Sequence, residues 1–253
     1  MTKIIMNGCN GKMGQVITRL VEEDSSCEIV AGFDINDTIE NSYPVYKNPA
    51  QYTGEADVVI DFSHPSCLSG LLDYCKERKL PVILATTGFS PEQKAEFTEA
   101  SKEIPVFFSA NMSLGINLLI ALCKTATKLL EGNFDIEIVE KHHNQKIDAP
   151  SGTALAIADA IDETLSYDAE YVYDRHSVRR KRKKTEIGLH AVRGGTIVGE
   201  HDVIFAGTDE VITLSHSAAS KEVFAVGAIK AAKFMVGKNA GMYAMTDLIS
   251  ELN

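Results

Sequence analysis

Apolar and polar positions follow two periods along the first half of the chain, and the period switches repeatedly. Residues 3–7 form a short β-branched run that stops at Gly8. Met13, Val16, Ile17, Leu20 and Val21 then recur at the i, i+3, i+4 spacing of a helix with one buried stripe. Strand-like segments return at 28–33, 58–60, 82–85 and 106–109, and helix-like segments at 66–78 and 91–103. Apolar strands separated by amphipathic helices suit a parallel sheet covered on both faces. Right-handed crossovers make that sheet doubly wound, a Rossmann-like α/β domain.

The second half changes character. A helix is expected over 115–130, a strand over 134–140 and a helix over 153–165. Three strands then follow in succession at 186–192, 197–205 and 211–216, before a last helix at 222–236. Consecutive strands predict a mixed or antiparallel sheet, hence a smaller α+β domain.

With 253 residues and 45% hydrophobic content, the chain can bury one large core or two modest ones. The first apolar run is too short for a signal peptide, and no stretch is long enough to cross a bilayer. Five scattered cysteines without a CxxC pair read as reduced thiols, so a cytoplasmic location is expected. A net charge of −10 argues against nucleic acid as the main partner. The basic run Arg179-Arg180-Lys181-Arg182-Lys183-Lys184 stands against that background. It reads first as a solvated loop and second as a device that steers anions.

Between the first strand and the first helix lies Gly8-Cys9-Asn10-Gly11-Lys12-Met13-Gly14. Glycines there let the backbone approach a pyrophosphate, and the helix behind offers free N–H groups and a positive dipole end. Asp34 follows about 20 residues after Gly14, where a carboxylate can bind the hydroxyls of an adenosine ribose. The spacing is GxxGxxG, and a turn of purely structural use is the competing reading. A carboxylate at Asp34 followed by Ile35 disfavours a 2′-phosphate, so NADH should serve at least as well as NADPH; Lys12 could still offer a phosphate some charge. Thr86, Thr87 and Gly88, and Ser109 to Ser113, sit at strand ends where ligands bind or where loops are merely polar.

Residues 140–153 hold the densest chemistry, with His142, His143 and Lys146 after a strand and Ser151, Gly152 and Thr153 at a helix start. An imidazole can move a proton near neutrality, and Lys146 supplies a cation. The hydroxyls and free N–H groups of Ser151, Gly152 and Thr153 can dock a carboxylate. Asp148 or Ser151 can cap that helix, with Pro150 in its first turn. Metal binding by the two histidines is second, because no third ligand lies nearby and neighbours on a strand point apart.

The run Glu140-Lys141-His142-His143-Asn144-Gln145-Lys146-Ile147-Asp148-Ala149-Pro150-Ser151-Gly152-Thr153-Ala154 resembles the signature of the 4-hydroxy-tetrahydrodipicolinate reductase family. So do residues 7–14, 85–88 and 109–117, Arg193-Gly194-Gly195, Gly199-Glu200-His201 and residues 216–228. The resemblance spans the chain in the family's order. It implies an NAD(P)H-dependent oxidoreductase of lysine and diaminopimelate biosynthesis that reduces a cyclic dicarboxylate. It also implies cofactor contacts at Gly8, Cys9, Asn10, Gly11, Lys12, Met13, Asp34, Thr86, Thr87, Gly88, Ala110, Asn111, Met112 and Ser113. His142 and Lys146 would be the catalytic proton donors, and His143, Ser151, Gly152 and Thr153 would bind substrate. A homotetramer is implied, with a dinucleotide domain of residues 1–112 and 221–253 and a substrate and tetramerisation domain of 113–220. Asn144-Gln145, Lys221 and Ile35 depart from residues common in relatives, which touches affinity and cofactor preference rather than the reaction. Two rivals stand beside this: another Rossmann-type reductase of a small imine or carbonyl dicarboxylate, and a polyanion-binding module using the basic run.

Overall fold

In the computed structural model, which describes residues 1–251, the chain divides into two units. One comprises Met1–Leu114 and the chain from Glu222 onward; the other is Gly115–Lys221.

The first unit contains β1 (Thr2–Asn7), α1 (Lys12–Glu22), β2 (Cys27–Phe33), β3 (Val45–Tyr46), β4 (Val58–Asp61), α2 (Leu68–Arg78), β5 (Val82–Leu84), α3 (Pro91–Ala100) and β6 (Pro105–Phe108). Its sheet has seven parallel strands in the order β12-β6-β5-β4-β1-β2-β3, where β12 is Gly241–Tyr243. The order reverses between β1 and β4, the crevice where open α/β sheets bind ligands. Alternate strand residues feed opposite cores. Ile4, Met6, Val58 and Ile60 pack on one side, with α1 and the helix Glu222–Met235. Ile5, Val59, Val82 and Val106 pack on the other with α2 and α3. Burial on both faces explains why these strands read as unbroken apolar runs.

The second unit holds most of α4 (Leu114–Leu130), then β7 (Asp135–His142), α5 (Gly152–Asp162), β8 (Glu170–Val172), β9 (Glu186–Arg193), β10 (Gly199–Ala206) and β11 (Val211–Ala218). The strands form a mixed sheet ordered β11-β10-β7-β9-β8. Ile136 and Ile138 of β7, Ile187 and Leu189 of β9, and Val203 and Phe205 of β10 pack under α4 and α5. The remaining helices of the first unit are α6 (Glu222–Met235) and α7 (Met245–Glu251).

Several expectations need correction. Short β3, β8 and β12 escaped the pattern because two or three residues carry no period, and α7 had no strong stripe. The helix expected over 91–103 ends at Ala100, and α2 starts at Leu68 after a 3₁₀ turn at Pro65–Cys67 capped by His64. Strand β7 runs two residues further than expected, and its last residue is His142. The basic run is less a free loop than half of an ion-pair network. Arg182 bonds Glu137, Asp135 and the Ile136 carbonyl at 3.0 Å each. Arg180 joins buried Glu186, which Arg175 also holds at 2.7 Å, and Lys183 bonds Glu170 at 2.7 Å. Hydrogen bonds from Arg175 and then Arg180 hold the Glu186 carboxyl well down, at about 2. Arg179 and Lys181 stay exposed on the loop. No described helix is long and apolar enough to cross a membrane.

Candidate active site

The first unit builds a glycine cradle at the end of β1. Gly8 takes a left-handed φ of 80°, which turns the chain back so that its N–H donates to the Phe33 carbonyl at 2.8 Å. Gly11 caps α1 without a side chain, leaving the helix's first N–H groups open. Gly14 lies against the loop: a Cβ there would sit 2.2 Å from the Gly8 carbonyl oxygen and 2.5 Å from that of Cys9. Asp34 accepts from the Asn10 N–H and from the Asn36 N–H, each at 2.9 Å, so the acid also ties the cradle to the end of β2.

A cavity of about 430 Å³ opens beside the cradle, lined by Gly8, Gly11, Asp34, Ile35, Lys47 and His64 among others. Shape and donors fit the adenosine end of a dinucleotide. Not every expected residue presents its side chain. Those of Cys9, Asn10, Thr86, Met112 and Ser113 are buried. Lys12, Thr87, Gly88 and Ala110 are exposed, Met13 is half-buried against the core and Asn111 is half-buried.

Two residues of this unit were not singled out from the sequence. Lys47 follows the two-residue β3 and pairs with Asp37 at 2.7 Å. Asp61 ends β4 and is buried, accepting from Asn7 Nδ2 at 2.7 Å and Ser63 Oγ at 2.6 Å. The Ser63 N–H donates to Thr86 Oγ1 at 2.8 Å, so the strand ends are laced together. Burial pushes the Asp61 carboxyl up, against bonds from Ser63, Thr86 and Asn7. An acid ending an apolar strand was the available signal.

In the second unit, period-two alternation puts Glu140 and His142 of β7 on the face that α5 covers. His142 Nδ1 lies 2.7 Å from Glu140 Oε2. Arg193, the register partner of His142 on β9, grips both Glu140 oxygens at 2.6 Å. The Ser151 N–H donates to Glu140 Oε1 at 2.9 Å. Ser151 also caps α5, accepting from the Ala154 N–H at 3.1 Å; Pro150 therefore precedes the cap instead of filling the first turn.

Between His142 and Ser151 the chain forms a loop held by Arg193, which donates to the Asp148 carbonyl at 2.7 Å. The Lys146 N–H donates to the His143 carbonyl at 3.1 Å, and Lys146 Nζ meets Asp148 at 2.9 Å. His142 is buried and His143 half-exposed, so the adjacent rings do not share one environment. Gly152 is exposed and Thr153 half-buried in the first turn of α5. Among the described residues no group of three His, Cys, Asp or Glu side chains is placed to hold a metal.

His201, opposite Glu140 on β10, packs edge-on to the His142 ring with centroids 5.3 Å apart. Its Nε2 lies 3.2 Å from Ser151 Oγ, while Nδ1 is buried with no hydrogen-bond partner among the described residues. Burial, then the neighbouring His142, pushes His201 down from 6.5 to about 4. The folded form thus binds fewer protons than the unfolded form between these values, so the stability it contributes above pH 6.5 is lost as pH falls towards 4. A His201→Gln variant should show a shallower fall in Tm over that window than the unsubstituted chain, measured by calorimetry. Parallel curves would show that His201 does not titrate this way.

Two family models together match nearly the whole chain: "Dihydrodipicolinate reductase, N-terminus" over residues 2–112 and "Dihydrodipicolinate reductase, C-terminus" over residues 115–249. The chain is 59% identical to the 4-hydroxy-tetrahydrodipicolinate reductase of Caldanaerobacter subterraneus subsp. tengcongensis, with 99% of each chain covered. It is similar to the solved structure of a dipicolinate-bound dihydrodipicolinate reductase from Paenisporosarcina sp. TG-14, at 25% identity and a TM-score of 0.82, covering 96% and 97% of the two chains. A likeness in fold alone extends to the WlbA dehydrogenase of Chromobacterium violaceum solved with NADH and UDP-GlcNAcA, at 14% identity, a TM-score of 0.60 and coverage of 99% and 90%.

Proposed function

The chain belongs to the dihydrodipicolinate reductase family, and from that premise we propose that it reduces 4-hydroxy-tetrahydrodipicolinate, by way of dihydrodipicolinate, to tetrahydrodipicolinate with NAD(P)H. The observation that carries the reading is the constellation at the end of β7: a buried imidazole, a cation on the following loop and the N-terminus of α5.

A bound nicotinamide supplies the hydride. The chain's own residues supply the rest. The first N–H groups of α5 and the Thr153 hydroxyl receive one ring carboxylate of the substrate, with the helix dipole favouring its charge. Lys146 exchanges Asp148 for the dianionic substrate and balances the negative charge that spreads towards the ring nitrogen. His143 gives a second contact to the dicarboxylate. His142, its Nδ1–H committed to Glu140, exchanges a proton through Nε2.

The cradle of Gly8, Gly11 and Gly14 supports dinucleotide binding by the first unit, with NADH used at least as well as NADPH. Asp34 in the cavity repels a 2′-phosphate, and Ile35 offers it no charge. Asp34→Asn should raise the ratio of kcat/KM for NADPH over NADH about tenfold, a change of about 1.4 kcal/mol. An unchanged ratio would remove Asp34 as the discriminating group. The enzyme acts in the cytoplasm, which its free cysteines suit. It assembles as a homotetramer through the second unit, whose edge strand β11 leaves Val211 and Ile212 exposed.

The reaction is tested by following NADH absorbance while dihydrodipicolinate synthase generates the labile substrate. Loss of NADH that depends on the synthase supports the proposal. No loss with NADH or NADPH, given a working synthase, contradicts it.

A further inference from the structure

We propose that Glu140 is the positioning residue of the site: it fixes which nitrogen of His142 exchanges the proton, and Arg193 sets the charge Glu140 presents. This rests on the reading that His142 moves a proton.

Glu140 has no solvent exposure, and its two oxygens meet four nitrogens. Oε2 receives His142 Nδ1 at 2.7 Å and one Arg193 nitrogen at 2.6 Å; Oε1 receives the other Arg193 nitrogen at 2.6 Å and the Ser151 N–H at 2.9 Å. A carboxylate has about four such positions, so all are in use. Burial pushes this carboxyl up, but the bonds from Arg193, His142 and Ser151 outweigh it and hold the group below the ordinary carboxylate range. An ionised Glu140 can only accept, so His142 Nδ1 must carry hydrogen. Nε2 is then the atom left for substrate, and it faces the backbone of Gly199, where a Cβ would lie 3.1 Å away.

Arg193 gives this pair a second property. Its bidentate guanidinium pairs with both Glu140 oxygens, so the carboxylate presents a compensated charge to the ring. His201 of β10 adds no charge at neutral pH, because burial keeps it neutral. The charged groups bonded at this pair are Glu140 of β7 and Arg193 of β9, while Lys146 and Asp148 pair with each other on the following loop. His216, opposite His201 on β11, is likewise pushed towards its neutral form by burial. Glu140 also holds the Ser151 N–H, so one carboxylate aligns both the proton donor and the N-terminus of α5.

The test compares Glu140→Gln with Glu140→Asp. A glutamine keeps the volume and can still accept from Arg193 and Ser151, but its amide must donate to His142 Nδ1, which moves the hydrogen to Nε2. Glu140→Gln should lower kcat about 10²- to 10³-fold with KM for the dicarboxylate changed less than about threefold. The acid limb of its pH–rate profile should move to lower pH. Glu140→Asp should recover part of the rate. Chain labelled with ¹⁵N-histidine reads the tautomer without any turnover: His142 should be Nδ1–H in the unsubstituted chain and Nε2–H in Glu140→Gln. A folded Glu140→Gln with the original tautomer and pH profile would overturn the proposal. The tautomer result stands even if the chain turns over another substrate, which separates failure of this inference from failure of the proposed reaction.

Discussion

His142→Ala is expected to lower kcat about 10²- to 10⁴-fold, the range that a positioned acid or base contributes. The fold should survive, because Glu140 keeps Arg193 and the Ser151 N–H as partners and remains paired. Dinucleotide binding should be unchanged, since the residues that line the first unit's cavity come from other elements. The signature is a collapse in kcat with NADH affinity intact, read by steady-state kinetics beside a fluorescence titration of NADH. Lys146→Ala should differ in kind. Lys146 Nζ pairs with Asp148 in this structure and would meet a dianion in the complex, so its loss should raise KM as well as lower kcat. If His142→Ala retained most of its rate, proton transfer would have to be assigned elsewhere.

The second large effect is expected at the cradle. Gly14→Ala places a methyl 2.2 Å and 2.5 Å from two backbone carbonyl oxygens, well inside contact distance, and neither oxygen belongs to a flexible side chain. Either α1 moves away from the loop or the loop opens, and both displace the N–H groups that a pyrophosphate would meet. Overpacking of this kind costs about 1–3 kcal/mol or more. In a chain of this size each kcal/mol is worth about 2–4 °C in Tm. A fall of several degrees together with loss of NADH binding is the expected pair of results, checked by differential scanning calorimetry and titration. Gly70→Ala in α2 is the control: nothing lies within 4 Å of its Cβ, so Tm should hold or rise slightly. A Gly14→Ala variant with normal Tm and NADH affinity would show that the helix and loop are not tightly coupled.

The parts of the fold legible in the sequence were those with a long period. Strands β1, β4 and β5 carry unbroken apolar runs at residues 4–6, 58–60 and 82–84 because two cores claim them, and α1 carries one clear stripe. The edge elements β3, β8 and β12 are too short for that, so Lys47, which follows β3, had no frame in which to be noticed. The candidate site was legible as a cluster, since His142, Lys146 and Ser151 lie within one stretch. Its organisation was not. Arg193 reaches Glu140 across 53 residues, and only the β7–β9 register brings it opposite His142. His201 stood in a recognisable block without a role, because the ring contact to His142 depends on β10 pairing with β7. The ion pairs of the basic run were hidden for a related reason. Its partners Asp135, Glu137, Glu170 and Glu186 are spread over three strands, and charge read locally could not include them.

The proposed reaction is tested most directly by following the hydride itself. NADH deuterated at the transferred position would be incubated with the chain and synthase-generated substrate, and the ring dicarboxylate analysed by mass spectrometry. The account predicts deuterium on a ring carbon of tetrahydrodipicolinate, one per NADH consumed, and almost none with His142→Ala over the same time. Unlabelled dicarboxylate, or label found only in a different product, would contradict it.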